Sequence, residues 1–237
     1  MIEKINLNNI LFLDIETVPE YHNYRGLDHE TQQLWEQKTQ YQRKDEVSGE
    51  DFYERAGIWA EFGKIITISV GYFVNKADIR NFRVTSFWGD EKKILQDFSN
   101  LLNTHFNGVQ HLLCGHNAKE FDIPFIARRM IINGIALPNK LNLFGKKPWE
   151  VPHLDTLELW KFGDYKHFTS LKLLTKVLGI PSPKDDIDGS EVAHVYYVEN
   201  DIDRIITYCE KDVIAVAQIF LRLRREDLLV EEEIIHV

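Results

Sequence analysis

"LFLDIETVPE", residues 11–20, decides the reading of this chain. Leu11, Phe12 and Leu13 lead into Asp14 and Glu16, with Ile15 between them. A stretch that is apolar at successive positions reads as a central strand buried on both faces, here within "NNILFLDIETV". In a strand, residues i and i+2 share a face, so Asp14 and Glu16 stand side by side at its C-terminal end. Two adjacent carboxylates repel, and each resists losing its water. The expectation is a cation between them, at the strand end where ligands gather in open α/β sheets. A strand end that simply meets solvent is the other reading, and the D-x-E pair alone leaves both open.

Outward from this strand, "GKIITISVGYFV" and "IRNFRVTSFW" read as the second and third strands, and "VQHLLCGHN" as a fourth. "DEKKILQDFSNLLNTHF" has helical apolar spacing with Asp90 as N-cap. "EFDIPFIARRMIING" reads as a helix closed by Asn133-Gly134, with Asn117 and Glu120 as a capping box and Asp122 in its first turn. "VPHLDTLEL" is a candidate fifth strand, in which Asp155 reads as structural. "FTSLKLLTKVLGI" is a short helix capped by Thr169 or Ser170, followed by the loop "PSPKDDIDGS". The long final helix, "DIDRIITYCEKDVIAVAQIFLRLRR", places Tyr208 and Asp212 at i and i+4 on one face. Residues 20–62 are polar with scattered aromatics and read as helices or loops inserted after the first strand. The pattern is one α/β domain over residues 1–237, with a core at about 8–222, an insertion at about 20–62 and an acidic tail at about 226–237.

The 237 residues carry a formal net charge of −9, which argues against a general nucleic-acid coating protein. The charge is uneven: residues 140–184 hold eight lysines against four acids, whereas residues 226–233 hold five acids and no base. That imbalance suits an enzyme gripping a short polyanion, and equally a protein that touches none. No apolar run has membrane-spanning length, and "MIEKINLNN" lacks the basic-then-apolar pattern of a signal peptide. Cys114 and Cys209 fit neither a zinc nor a disulfide framework, so reduced thiols in a cytoplasmic protein are expected.

Taken singly, Asp122 reads well as a helix-start acid and Asp212 as a solvated helix edge. Their order says more. "DIE" at 14–16, "NAKEFD" at 117–122 and "YCEKD" at 208–212 together resemble the 3′–5′ exonuclease superfamily named for its acids Asp-Glu-Asp-Asp. The Tyr-x-x-x-Asp spacing is that of the tyrosine branch; the histidine branch would place His where this chain has Thr207. The second and third motifs look most similar to the proofreading domain of family B DNA polymerases, and the resemblance spans roughly residues 8–222. It implies an RNase H-like (DnaQ-like) fold, a mixed sheet of about five strands flanked by helices. No polymerase domain is expected within these 237 residues, and the 20–62 segment is longer than a tight connection.

The resemblance also implies two divalent cations, Mg²⁺ or Mn²⁺. Such ions prefer oxygen ligands, and a pair about 3.5–4 Å apart clamps an in-line displacement at phosphorus. Asp14 would bridge both ions, Glu16 and Asp212 would join the one that activates water, and Asp122 would act directly or through a water. Tyr208, a poor general base with a phenol pKa near 10, would orient the attacking water. Ile15, Thr17, Asn117 and Phe121 resemble substrate-side positions; Phe121 reads equally as core. The stretch with Trp149, Trp160, Phe162, Tyr165, Lys146, Lys147 and Lys166 either tracks phosphates and bases or is core aromatics with solvated lysines. The expected activity is metal-dependent hydrolysis at the 3′ end of single-stranded nucleic acid, DNA favoured over RNA. Other readings are an exoribonuclease, a non-catalytic single-strand-binding module and a short-nucleotide phosphodiesterase. No membrane partner is expected.

Overall fold

The computed structural model describes residues 2–43, 47–76, 79–164, 166–181 and 187–237. Tyr165 and residues 182–186 of the 181–190 loop therefore lie outside the described residues. Six strands, β1 (Ile10–Pro19), β2 (Gly63–Lys76), β3 (Ile79–Trp88), β4 (Leu112–Gly115), β5 (Leu154–Asp155) and β6 (Ile234–His236), form one sheet in the order β5-β4-β1-β2-β3-β6. β1 to β3 are antiparallel neighbours, whereas β4 joins β1, β5 joins β4 and β6 joins β3 in parallel. The helices are α1 (His29–Thr39), α2 (Gly49–Phe52), α3 (Glu91–His105), α4 (Asp122–Ile132), α5 (Thr156–Lys161), α6 (Leu171–Val177), α7 (Val192–His194) and α8 (Ile202–Leu223). This is the expected α/β, RNase H-like arrangement.

β1 is central, and its two faces serve two cores. Leu11, Leu13 and Ile15 pack with Phe98 of α3 and with Phe125, Ile126 and Met130 of α4. Ile10 and Phe12 face the other way, onto Phe73, Phe82 and the Val213–Phe220 stripe of α8. Phe12 meets Phe220 edge-on at 5.9 Å. By strand alternation Asp14 and Glu16 continue the Phe12 row, so both acids face the α8 layer. Gly71 of β2 lets that helix come close, since a Cβ there would stand 2.8 Å from Val213 Cγ1 and collide with Phe82.

Several expectations change in detail. Asn117 and Glu120 form no capping box: α4 begins only at Asp122, and Phe121 caps it without a side-chain bond. Asn117 instead takes a left-handed turn (φ 63°), its carbonyl accepting from the Glu120 and Phe121 N–H groups. Asp122 does lie in the first helical turn. The fifth strand is two residues long because Asp155 N-caps α5 and turns the chain into a helix. A sixth strand, β6, lies in the acidic C-terminal stretch. Trp149 is 76% exposed, with Lys147 Nζ 5.3 Å above its ring, so it is not a core aromatic. The inserted segment builds its own small core: Leu27, Tyr53, Ala56 and Phe62 surround the fully buried Trp35.

Candidate active site

Three elements bring the sequence-derived acids together. β1 supplies Asp14 and Glu16 on one face. A bulge follows at once, since Glu16 pairs with Thr67 but Thr17 with Ile65, and such irregularities re-aim side chains at strand ends. α4 supplies Asp122 from its first residue; its Oδ1 accepts the Ile15 N–H at 3.2 Å. α8 supplies Asp212, which hydrogen-bonds the Tyr208 hydroxyl one turn earlier. Cys209, on the same turn, donates its S–H to Asp14 Oδ2 at 3.3 Å. Ligand atoms of Asp14, Glu16 and Cys209 all lie within 4.8 Å of one another.

The electrostatics follow from this crowding. Burial, then the charges of Asp122, Glu16 and Asp212, push Asp14 well above the usual carboxylate range. Burial followed by Asp212 and Asp122 does the same to Glu16. Burial raises Asp122 to about 7, with Asp155 and Asp212 adding and its backbone hydrogen bonds opposing. Burial and Asp212 also raise Tyr208, which therefore keeps its proton throughout the neutral range. Among the described residues no lysine, arginine or histidine pairs with Asp14, Glu16 or Asp122. The buried Thr67 hydroxyl, on the strand position opposite Glu16, has no hydrogen-bond partner. Unneutralised carboxylate oxygens from separate elements are the donor set that hard divalent cations prefer, so the residues fit such ions.

Supporting side chains had little sequence signal. Asp155, buried 38 residues from Asn117, accepts the N–H groups of Asn117 (3.0 Å) and Lys119 (3.0 Å) as well as those of Leu157 and Glu158. It thereby fixes the turn that delivers Asp122. Behind Asp14, the Cys209 sulfur meets Ser69, and a polar run continues through Ser86 and Glu210 to His236 of β6.

A groove of about 960 Å³ opens beside Glu16. Ile15, Thr17 and Phe121 line it, and Asn117 does not. One wall comes from the insertion (His22, Glu54, Arg55, Gly57, Ile58), the other from residues 189–198 ahead of α8. Neither wall carries a periodic or motif signal in the sequence.

A mixed sheet with four carboxylates and a tyrosine at the end of its central strand defines a 3′–5′ exonuclease of the Asp-Glu-Asp-Asp class. The chain belongs to the family described as "predicted 3′–5′ exonuclease related to the exonuclease domain of PolB", whose model matches residues 58–234. That span holds Asp122, Tyr208 and Asp212; Asp14 and Glu16 precede it. Among solved structures the chain is similar to the family B DNA polymerase from the hyperthermophilic archaeon Pyrobaculum calidifontis, at 15% identity and a TM-score of 0.54. The likeness covers 90% of this chain and 24% of that one, so the chain spans about a quarter of the polymerase's length. No curated protein matches in sequence. Among the described residues, no helix is long and apolar enough to cross a membrane.

Proposed function

We propose that the chain releases nucleotides one at a time from the 3′ end of single-stranded DNA, using two divalent cations, Mg²⁺ or Mn²⁺. The observation that carries this reading is the convergence of Asp14, Glu16, Asp122 and Asp212 without a neutralising side chain on the first three. These four residues would hold the cations, which when bound supply water activation and charge neutralisation at the phosphodiester. DNA is favoured because both the family description and the similar structure concern DNA polymerases.

The chain's own groups then have separate tasks. Cys209 and the Ile15 N–H each fix one carboxyl group, so the acids are set before substrate arrives. Tyr208, protonated and held by Asp212, orients the attacking water through its hydroxyl and takes no proton from it. Attack at phosphorus breaks its bond to the upstream 3′ oxygen, releasing a nucleoside 5′-monophosphate. Ile15, Thr17 and Phe121 would contact the terminal nucleotide from the groove, and Asn117 would act from its turn beside them. Residues 1–237 act as one exonuclease domain, core 8–222, with the 20–62 insertion and the 226–237 tail packed onto it. The buried free thiols of Cys114 and Cys209 support a cytoplasmic setting.

The test is incubation with 5′-labelled single-stranded DNA and a matching RNA, with Mg²⁺, Mn²⁺ or chelator. The expected result is a metal-dependent ladder shortening from the 3′ end of DNA and absent with Asp14→Ala. A ladder on RNA alone would reassign the substrate, and a fully active, folded Asp14→Ala protein would refute the site.

A further inference from the structure

The groove beside Glu16 is larger than removal of a single nucleotide requires. Its volume of about 960 Å³ lies at the top of the range that holds drug-sized ligands. Both walls are built in place. The insertion is tied to β1 by Thr17 Oγ1 donating to Gly57 O at 2.7 Å. Gly57 lies so close to β1 that a Cβ would stand 3.1 Å from Val18 Cα. Behind it, Trp35 meets Tyr53, Trp59 and Phe62 edge-on at 5.1–5.4 Å, which makes this wall a packed unit. The opposite wall, residues 189–198, includes a π-helical turn (Val195–Glu199). There the Tyr197 hydroxyl donates to the Pro19 carbonyl at 2.5 Å.

Two side chains stand out on these walls. The exposed His22 ring lies parallel to Tyr197, centroids 5.0 Å apart and planes 16° apart. Lys64 Nζ approaches the same tyrosine ring at 5.4 Å. Arg55 is exposed on the insertion wall, its guanidinium 5.4 Å from the Phe52 ring, and among the described residues no carboxylate pairs with it. A fixed aromatic stack with an unpaired guanidinium in one groove is the combination that takes unpaired bases and their phosphates. A duplex offers no free base face to such a platform.

We propose that this groove seats the nucleotides upstream of the scissile bond, with the His22–Tyr197 stack as platform for an unpaired base and Arg55 as a phosphate contact. The inference rests on the exonuclease reading of the adjacent carboxylates. It assigns the inserted segment a role as the wall that demands a single strand several nucleotides long. His22, Arg55 and Gly57 precede the residues matched by the family model.

The test is fluorescence anisotropy with labelled oligothymidylates of two to eight residues, in Ca²⁺, on the wild-type chain, His22→Ala, Arg55→Ala and Arg55→Lys. Affinity of the wild type should climb with length. His22→Ala should weaken the octamer about 5- to 150-fold, the span of one lost base stack. Arg55→Ala should weaken it about 3- to 10-fold and lower the salt slope by about 1, with Arg55→Lys restoring part of both. In both alanine variants the octamer should lose its advantage over the dimer, whereas a general structural lesion would weaken the two in proportion. Equal affinity of the wild type for dimer and octamer, or unchanged octamer binding by both alanine variants, would overturn the assignment. Parallel cleavage assays with Mn²⁺ keep the two readings apart. Cleavage with a flat length dependence refutes the groove alone. Length-dependent binding without cleavage refutes the nuclease alone.

Discussion

At the scale of the residue, the chemistry of each side chain was legible wherever it belonged to a spacing. Asp14 and Glu16 share a strand face, and Tyr208 and Asp212 share a helix face, so both pairs can be read from local periodicity. Cys209 was legible only as a letter: that its thiol reaches Asp14 depends on how α8 crosses β1, which no local pattern encodes. Tyr208 permits a prediction at this scale. Burial and Asp212 hold its hydroxyl protonated, so its contribution is orientation. Tyr208→Phe should lower kcat by about 10²-fold or more, within the range of lost proton-positioning groups, with KM changed only a few-fold. The wild-type pH–rate profile should show no limb near 10, the ordinary tyrosine value. A limb at that pH that vanishes in Tyr208→Phe would make the tyrosine a base and refute the assignment.

At the scale of the element, long periodic segments behaved as their sequences ask. Asp90 caps α3 through the Lys93 N–H, Ser170 caps α6, and α8 runs the length its apolar stripe suggests. Short elements did not, because tertiary partners outweigh local preference there. The Asn117–Glu120 pair has the spacing of a capping box. The chain nevertheless turns left-handed at Asn117, because Asp155 on the adjacent strand gathers the N–H groups of Asn117 and Lys119. Asp155 is structural, over a distance that no local pattern encodes. Asp155→Ala would strand four backbone donors at once. At about 1 kcal/mol per bond, and more for a charged acceptor, the loss should be about 3–5 kcal/mol. For a chain of this length that lowers the melting temperature by roughly 6–20 °C. Asp155→Asn, which keeps one acceptor oxygen, should lose about half as much. A thermal melt in which both variants match the wild type would remove Asp155 from its positioning role.

At the scale of the whole molecule, the fold is arranged to hold repelling acids in place. The α/β class and the sheet's central strand were legible because β1 is apolar on both faces. The β6 edge strand was not, since three residues within an acidic stretch carry no period. The cost of the acid cluster gives a prediction about stability. Folded Asp122 keeps its proton up to about 7, whereas the unfolded carboxyl releases it near 3.8. Asp14 and Glu16 shift in the same direction. Between those pH values the folded state carries more protons, so metal-free stability should fall as pH rises toward 7. His153 opposes this trend. Its buried ring accepts from the Leu113 N–H, bonds the Lys140 carbonyl and titrates only at about 4, so its contribution is full above 6.5 and fades in acid. The gain on acidification should therefore begin near pH 7.5 and continue, reduced by His153 below about 6.5, toward the unfolded carboxyl value near 3.8. Asp122→Asn can keep its oxygen on the Ile15 N–H while removing one charge from the cluster. In chelator at pH 7.5 it should melt above the wild type, by the order of a few kcal/mol in unfolding free energy. Divalent cation should narrow that gap. At 100 times its dissociation constant an ion bound only by the folded state adds about 2.7 kcal/mol, and the wild type should gain this while Asp122→Asn gains much less. Melting curves of the two proteins with chelator and with Mn²⁺ decide the matter. If Asp122→Asn is less stable than the wild type without metal, repulsion among these acids is not what the cations relieve.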